Sequence, residues 1–323
     1  LLSASPLVYE AWMVRRSSSA SPLTKTRAVL RMLTWRNVRL FIRLTRPHFI
    51  LGGILLYGLG GAIASHLGHR IDSGSYLLGQ LLVTLLQLMT HYLNEYYDSD
   101  ADQSNLNRTR FTGGSGAIGP EALPKRVAFY SAVISLALAT TVASAALVTG
   151  SLPLLAWPVL LLGFLGGFYY SVPPPRLVAS GYGELLASLV VAALVPIFAY
   201  IIQAGDINRL LVMSTTPLIG MCFAMLIVFE LPDYAADVRH HKRNLVVRLG
   251  WLAAMRAHDI ALAFAMLSFA VAFAYGLPPR VAMSALILLP LAVAQIWQLR
   301  RIRRGYPPRW NSLTFSALAL FAI

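Results

Sequence analysis

The chain has 323 residues, 57% of them hydrophobic and 12% charged, with a formal net charge of +14. A soluble domain carries about 25% charged residues, so this density, with a mean hydropathy of +0.63, excludes an ordinary soluble globule and points to a membrane protein. The one cysteine, Cys222, excludes an intrachain disulfide and a thiolate metal site, and it reads as a buried apolar thiol.

Residues 1–46 form a basic segment, rich in Ser and Arg and nearly free of acid. It lacks the apolar h-region of a secretory signal. It reads either as an organelle presequence or as sequence upstream of a true start at Met13 or Met32. We expect it to be disordered or interfacial, with an amphipathic helix on the membrane face from about Trp35. Residues 47–323 read as one transmembrane domain. Apolar stretches of about 20 residues are the length that spans hydrocarbon. They recur near 47–66, 77–97, 127–149, 153–170, 183–204, 210–231, 251–275, 281–299 and 311–323, the last cut short at Ile323. Lipid offers the backbone no hydrogen-bond partner, so each is expected to be a helix. The predicted fold class is therefore all-α: a polytopic bundle of about nine transmembrane helices.

Basic residues orient such a chain. With the N-terminus placed on the cytoplasmic side, 23 of the 27 Lys and Arg fall in the N-terminal segment and the cytoplasmic loops. The opposite loops hold Arg70, Arg209 and Arg280. This predicts a multi-pass protein of the cell membrane with a cytoplasmic N-terminus, or of an organelle inner membrane if the N-terminal segment is a presequence. The basic residues serve orientation, and no basic soluble domain exists to carry nucleic acid.

Along the second span the polar residues Gln80, Thr84, Gln87, His91, Asn94, Asp98 and Asp102 recur every three or four positions, which keeps them on one helical face. Such a stripe must face protein or a water-filled cavity. For Gln80 and Thr84, helix-to-helix hydrogen bonding accounts for it equally well. Acids at i and i+4 repel each other, so Asp98 and Asp102 call for a cation. A second pair, Asp233 and Asp237, follows span six with the same spacing, on the same predicted side. Seven of the 13 acids lie in these two clusters, each followed by bases: Arg108 and Arg110, then Arg239, Lys242 and Arg243. Mg²⁺ takes one or two carboxylates together with phosphate oxygens, and Lys and Arg supply further countercharge. The pattern therefore fits a magnesium-bound diphosphate.

Calcium is a poorer reading of "DSDADQSNLNRT". The EF-hand position for Gly holds Gln103, and the position for the closing Glu holds Thr109. The adjacent His240 and His241 point apart on a helix and read as solvated. The stretch "TGGSGAIG" lacks phosphate-loop spacing and reads as a flexible cap over the site. Gly-rich spans such as "LGGILLYGLGG" read as close-packing surfaces.

"NEYYDSDAD" resembles the NDxxDxxxD signature of the UbiA superfamily of intramembrane prenyltransferases, and "DYAAD" resembles its second motif, DxxxD. "RTRFTGGSGAI", "YYSVPPPRLVASGYGELL" and "NLVVRLG" resemble the menaquinone-type branch, which prenylates 1,4-dihydroxy-2-naphthoate. The resemblance covers roughly residues 40–323; it departs at Glu95, where the signature has Asp. It implies two Mg²⁺ ions, with Mn²⁺ an alternative, held by Asn94, Asp98 and Asp102 on one side and by Asp233 and Asp237 on the other. These four aspartates would be the catalytic residues, on the cytoplasmic side of the bundle. The donor is implied to be a polyprenyl diphosphate. Arg108, Lys242 and Arg243 would neutralise its leaving group, with Tyr170 and Arg176 at the same face, and Asn94 would contact substrate. Tyr97 or Tyr170 would steady an allylic cation through their ring faces, or merely anchor the interface. The acceptor is implied to be aromatic, and the groove for the prenyl tail opens to the lipid bilayer.

Other acceptors in the same superfamily are 4-hydroxybenzoate, haem, chlorophyllide and glyceryl phosphate. The haem and benzoate branches show an "RTxxRP"-like stretch where this chain has "RTRFTGGSG". A cation-coupled transporter is the rival from another class, but transporter ion sites lie near the midplane, whereas these acids lie at span ends.

Overall fold

Backbone groups in lipid must pair within their own segment, and the chain answers with helices joined by short turns. The structure is a computed structural model that describes residues 34–323. Most of the basic N-terminal segment, and with it the readings of a presequence or of a start at Met13 or Met32, lies outside the described residues. Among the described residues there is no strand, only one isolated bridge between Ile118 and Leu123.

Helix α1 (Trp35–Leu44) is capped by the Thr34 side chain, which accepts from the Asn37 amide. It exposes Trp35, Phe41 and Ile42 beside its arginines, as an interfacial helix would. Arg46 then takes a left-handed turn (φ 52°), and Pro47 opens α2 (Pro47–His66). Helix α3 (Ser73–Gln103) starts at Asp72, whose carboxylate accepts from the Ser75 amide at 2.8 Å. At 31 residues it is about 46 Å long, against about 30 Å of hydrocarbon. The helix continues past the expected end at 97 and carries the first acidic cluster as helix rather than loop.

The chain continues through α4 (Lys125–Thr149), α5 (Ala156–Ser171) and α6 (Gly183–Ala204), the last with a π turn over Val190–Leu194. Then come α7 (Arg209–Glu230), the short α8 (Tyr234–Arg239) and α9 (Leu245–Leu249), α10 (Trp251–Ala274), α11 (Pro279–Arg303) and α12 (Trp310–Ala322). Each of the nine expected spans coincides with a helix. Seven are long and apolar enough to cross a membrane; α5 and α12, with 16 and 13 residues, are shorter.

Packing follows side-chain size. A Cβ on Gly60 would stand 2.1 Å from the Pro196 carbonyl oxygen, so α2 and α6 touch backbone to backbone there. Gly52, in the same Gly-rich span, has nothing within 4 Å and borders a cavity instead. Leu77, Ile134, Val148, Ile260 and Leu267 are exposed on the outside of the bundle. That apolar belt suits lipid rather than water. The C-termini of α3 and α7, the short α8 and α9, and the Gly-rich loop 112–119 gather at one end.

Candidate active site

The two acidic clusters face each other across that end. On α3, Asn94 donates to Asp98 at 2.9 Å, one turn along the same face. Asp98 is buried, and it is paired with Arg176 at 2.8 Å and Lys242 at 3.1 Å. Lys242 also reaches Asp237, at 3.8 Å. A single buried ammonium therefore joins the first motif to the second. Burial opposes its charge, but Asp98, Glu230 and Asp237 hold the Lys242 pKa well above the usual lysine value.

The second cluster is held by neutral donors. Asp233 accepts from Asn105 at 2.6 Å and from the Gly113 amide at 3.2 Å. Asp237 accepts from Asn244 at 2.7 Å, and Asn244 also donates to Glu230. Burial, reinforced by the charges of Glu230 and Asp102, pushes Asp233 well above the carboxylate range. Burial, partly offset by Lys242, pushes Asp237 up to about 9. Asp233 has no ion-pair partner among the described residues, and Asp237 has only Lys242, at 3.8 Å.

The Gly-rich loop closes the site. Gly113 and Gly114 adopt φ of +76° and +74°, a region costly for other residues. A Cβ on Gly114 would lie 2.3 Å from Asp102 Oδ2. The loop is tied down rather than free. Arg108 Nε donates to the Gly113 carbonyl at 2.5 Å, and the Ser115 hydroxyl donates to Glu95 at 2.7 Å. Glu95 also pairs with Arg46 at the junction of α1 and α2. Burial opposes the Arg46 charge, but Glu95 and Asp102 keep its pKa raised.

Below the acids opens a cavity of about 1080 Å³. Asn94, Asp98, Asp102, Tyr170, Asp233 and Lys242 line its polar end, with Arg46. Leu55, Leu56, Leu59, Leu86, Leu186 and Val190 line the rest. The remaining predicted residues stand differently. Asp237 is buried behind Lys242, and Arg176 reaches Asp98 from outside the cavity wall. Arg108 is turned onto the loop backbone. Arg243 is exposed and off the wall. Tyr97 packs on Tyr96, with ring centroids 5.1 Å apart, and gives only its carbonyl to Arg176; of the two tyrosines proposed for a cation, only Tyr170 borders the cavity. His240 bonds Ser104 at 2.9 Å.

Sequence reasoning gave Glu95 no role and did not single out Arg46, Asn105, Glu184 or Asn244. Glu184 accepts from the Leu245 amide at 2.8 Å, steadying the turn that carries Lys242. Glu95 lies off the polar stripe, so its partners had to come from other segments, and one sequence carries no register between segments.

Among the described residues no three His, Cys, Asp or Glu side chains already converge as a closed metal cage. Mg²⁺ keeps waters and binds through a few carboxylates plus substrate phosphates. Asp233 and Asp237, hard oxygen donors short of positive charge, fit such an ion, and Asn94, Asp98 and Asp102 face them.

Residues 54–320 match the model of the UbiA prenyltransferase family. The structure is similar to a UbiA homologue from Archaeoglobus fulgidus bound to DMAPP and Mg²⁺, at 18% identity over 87% of this chain and 97% of that chain, with a TM-score of 0.62. The apo UbiA homologue from Aeropyrum pernix K1 gives 18% identity over 85% and 94%, with a TM-score of 0.60. A digeranylgeranylglyceryl phosphate synthase gives 14% over 88% and 97%, with a TM-score of 0.57. No curated protein matches. Identities this low speak for the fold alone.

Proposed function

The chain belongs to the UbiA prenyltransferase family, and from that premise we propose that it moves a polyprenyl group from its diphosphate to a hydroxylated aromatic acid, 1,4-dihydroxy-2-naphthoate. One observation carries the donor half of the reading: Lys242 bridges Asp98 and Asp237 at the polar end of an otherwise apolar cavity. A diphosphate on a hydrocarbon tail has that polarity. The naphthoate acceptor rests on the motif resemblance.

In the proposed reaction Asn94, Asp98, Asp102, Asp233 and Asp237 hold Mg²⁺, the ion bound together with DMAPP in the Archaeoglobus fulgidus relative. The metal supplies Lewis-acid stabilisation of charge growing on the leaving diphosphate. Lys242, in the cavity wall, adds fixed positive charge there, which costs no reorganisation when the bond breaks. Arg176 steadies Asp98, and the loop carrying Gly113 and Gly114 covers the site against water. The donor C–O bond breaks with its electron pair leaving on the diphosphate oxygen. The acceptor's π electrons form the new C–C bond at the allylic carbon, and the ring regains aromaticity by losing a proton. Tyr170 lines the cavity, and its ring would offer π density to the allylic cation.

The remaining parts of the reading are proposals of the same kind. The domain runs over residues 47–323, and the acid-bearing face, with the N-terminus, is cytoplasmic in a cell membrane. Cysteines placed at the exposed Asn107 and His241 should label from one side of sealed vesicles; labelling from opposite sides would end the shared site. The decisive assay offers purified protein in liposomes a panel of donors and acceptors. Pyrophosphate should appear only with donor, acceptor and Mg²⁺ or Mn²⁺ together, matched by prenylated product, and EDTA should abolish it. Product with hydroxybenzoate but not naphthoate would keep the family and replace the acceptor. Ion flux without pyrophosphate would favour transport.

A further inference from the structure

Between the acids and the aliphatic depth of the cavity lies a short aromatic zone. His48 and Phe49 from the first turn of α2, His91 from α3, Phe111 from the loop after α3 and Phe229 from the last turn of α7 all border the cavity. Their rings form one cluster. His48 lies 4.2 Å from Phe49 and 5.6 Å, edge-on, from Phe111. Phe49 lies 6.1 Å from Phe229, and Phe111 runs nearly parallel to Phe229 at 10° and 6.5 Å. The start of α2 is fixed from α3, since Gln87 donates to the Phe49 carbonyl at 2.7 Å and His91 Nδ1 lies 3.1 Å from the Thr45 carbonyl oxygen.

One polar atom in this zone has no protein partner. His48 Nε2 is buried and makes no hydrogen bond among the described residues. Leaving such an atom unpaired costs about 1–3 kcal/mol; Nε2 is shielded in this rotamer, and a ligand hydroxyl that meets it once the ring turns into the cavity recovers that cost. A prenyl tail has no group to offer this nitrogen, and the aliphatic wall beyond it suits the tail. A planar ring with a hydroxyl suits both features, since its faces meet Phe49, Phe111 and Phe229 and its hydroxyl meets Nε2.

We propose that His48 Nε2, within this aromatic zone, is a binding residue for the hydroxyl of the aromatic acceptor and sets the preference for hydroxylated rings. The inference rests on the reading of the chain as a prenyltransferase with an aromatic acceptor, not on naphthoate in particular.

The test uses the full-length protein in liposomes, with His48→Phe, which keeps a planar ring without its nitrogens, and His48→Gln, whose amide can reach the position of Nε2. Acceptors are 1,4-dihydroxy-2-naphthoate, 4-hydroxybenzoate and their hydroxyl methyl ethers. His48→Phe should raise the acceptor KM roughly tenfold, about one hydrogen bond's worth, and leave the donor KM within twofold. It should also lose the wild-type preference for free hydroxyl over methyl ether, and His48→Gln should recover part of that preference. An unchanged preference in His48→Phe, or equal rises in both KM values, overturns the proposal and leaves His48 a packing residue. If only hydroxybenzoate is turned over, the naphthoate reading falls while the same series judges His48. If no hydroxylated aromatic is turned over, the functional reading falls, and binding of 1,4-dihydroxynaphthalene, followed by tryptophan fluorescence, judges the site. Binding weakened by His48→Phe keeps it as a ring-binding site; no binding, or binding indifferent to His48, overturns it.

Discussion

The two acidic clusters have the same spacing and opposite electrostatic surroundings. Asp98 of the first is met by two cations, Arg176 and Lys242. Asp233 of the second is met by an asparagine and a backbone amide, and Asp237 by Asn244 with Lys242 at a longer 3.8 Å. At Asp98 the first cluster is balanced by the protein, while Asp102 beside it has no ion-pair partner among the described residues; the second cluster is built in deficit. A site that must bind and release a charged substrate needs that asymmetry. Full neutralisation would leave no demand for a cation, and full deficit would cost the several kcal/mol of burying bare charge.

The largest effects should come from removing one acid on each side. Asp98→Ala and Asp233→Ala should each lower turnover at least ~100-fold, with the fold retained by circular dichroism. They should differ in metal demand. Asp233→Ala should raise the Mg²⁺ concentration for half-maximal activity roughly tenfold or more, and Asp98→Ala by less. Equal shifts would dissolve the contrast between balanced and deficient clusters.

Next is the bridge. Lys242→Met should raise the donor KM about tenfold with little change in the acceptor KM. It should also cost about 3 kcal/mol of stability, because two buried carboxylates lose their shared ammonium. A mainly acceptor-side effect would move the diphosphate elsewhere.

A smaller effect should follow pH. Asp237, pushed up to about 9, and Asp233, also raised, keep protons in the folded protein that an unfolded aspartate releases near pH 4. The folded state then binds more protons, so metal-free stability should be fullest at low pH and fall as pH rises towards about 9. Mg²⁺ takes the place of those protons, and its stabilising effect on the melting temperature should grow over the same range. A metal-free melting temperature that rises from pH 5 to 8.5 would contradict the deficit.

The smallest effect is expected at Asp100, which lies in the first cluster by sequence and outside it in space. Its side chain is 76% exposed, with Lys125 at 3.6 Å and the Ser99 hydroxyl donating at 3.3 Å, and such surface pairs contribute little. Asp100→Ala should change activity less than twofold. A loss as deep as that of Asp98→Ala would mean the helical face is misassigned.

How much of this was legible beforehand follows the range of the interactions. The polar stripe from Gln80 to Asp102 could be read because helical periodicity is local, and the structure runs helix through all of it. The helix positions could be read because the hydrocarbon thickness sets a length that composition reports. Two of the nine expected spans give shorter helices: α5 stops at the turn after Ser171, where the turn and not hydrophobicity decides, and α12 runs to the last residues of the sequence. The carboxylates and Lys242 were legible as a set, but not who pairs with whom. Arg46 reaches Glu95 across 49 residues, Asn105 reaches Asp233 across 128, and Glu184 holds the Leu245 amide across 61. Arg108 read as a diphosphate ligand because charge is visible in sequence and direction is not; its guanidinium faces the loop backbone. Hydropathy and periodicity act over a few residues, and they suffice for an all-helical chain with two acidic turns. Which acids stand without countercharge, and which histidine nitrogen stands without a partner, came only from the folded bundle, because pairing depends on three-dimensional approach between segments that no local pattern encodes.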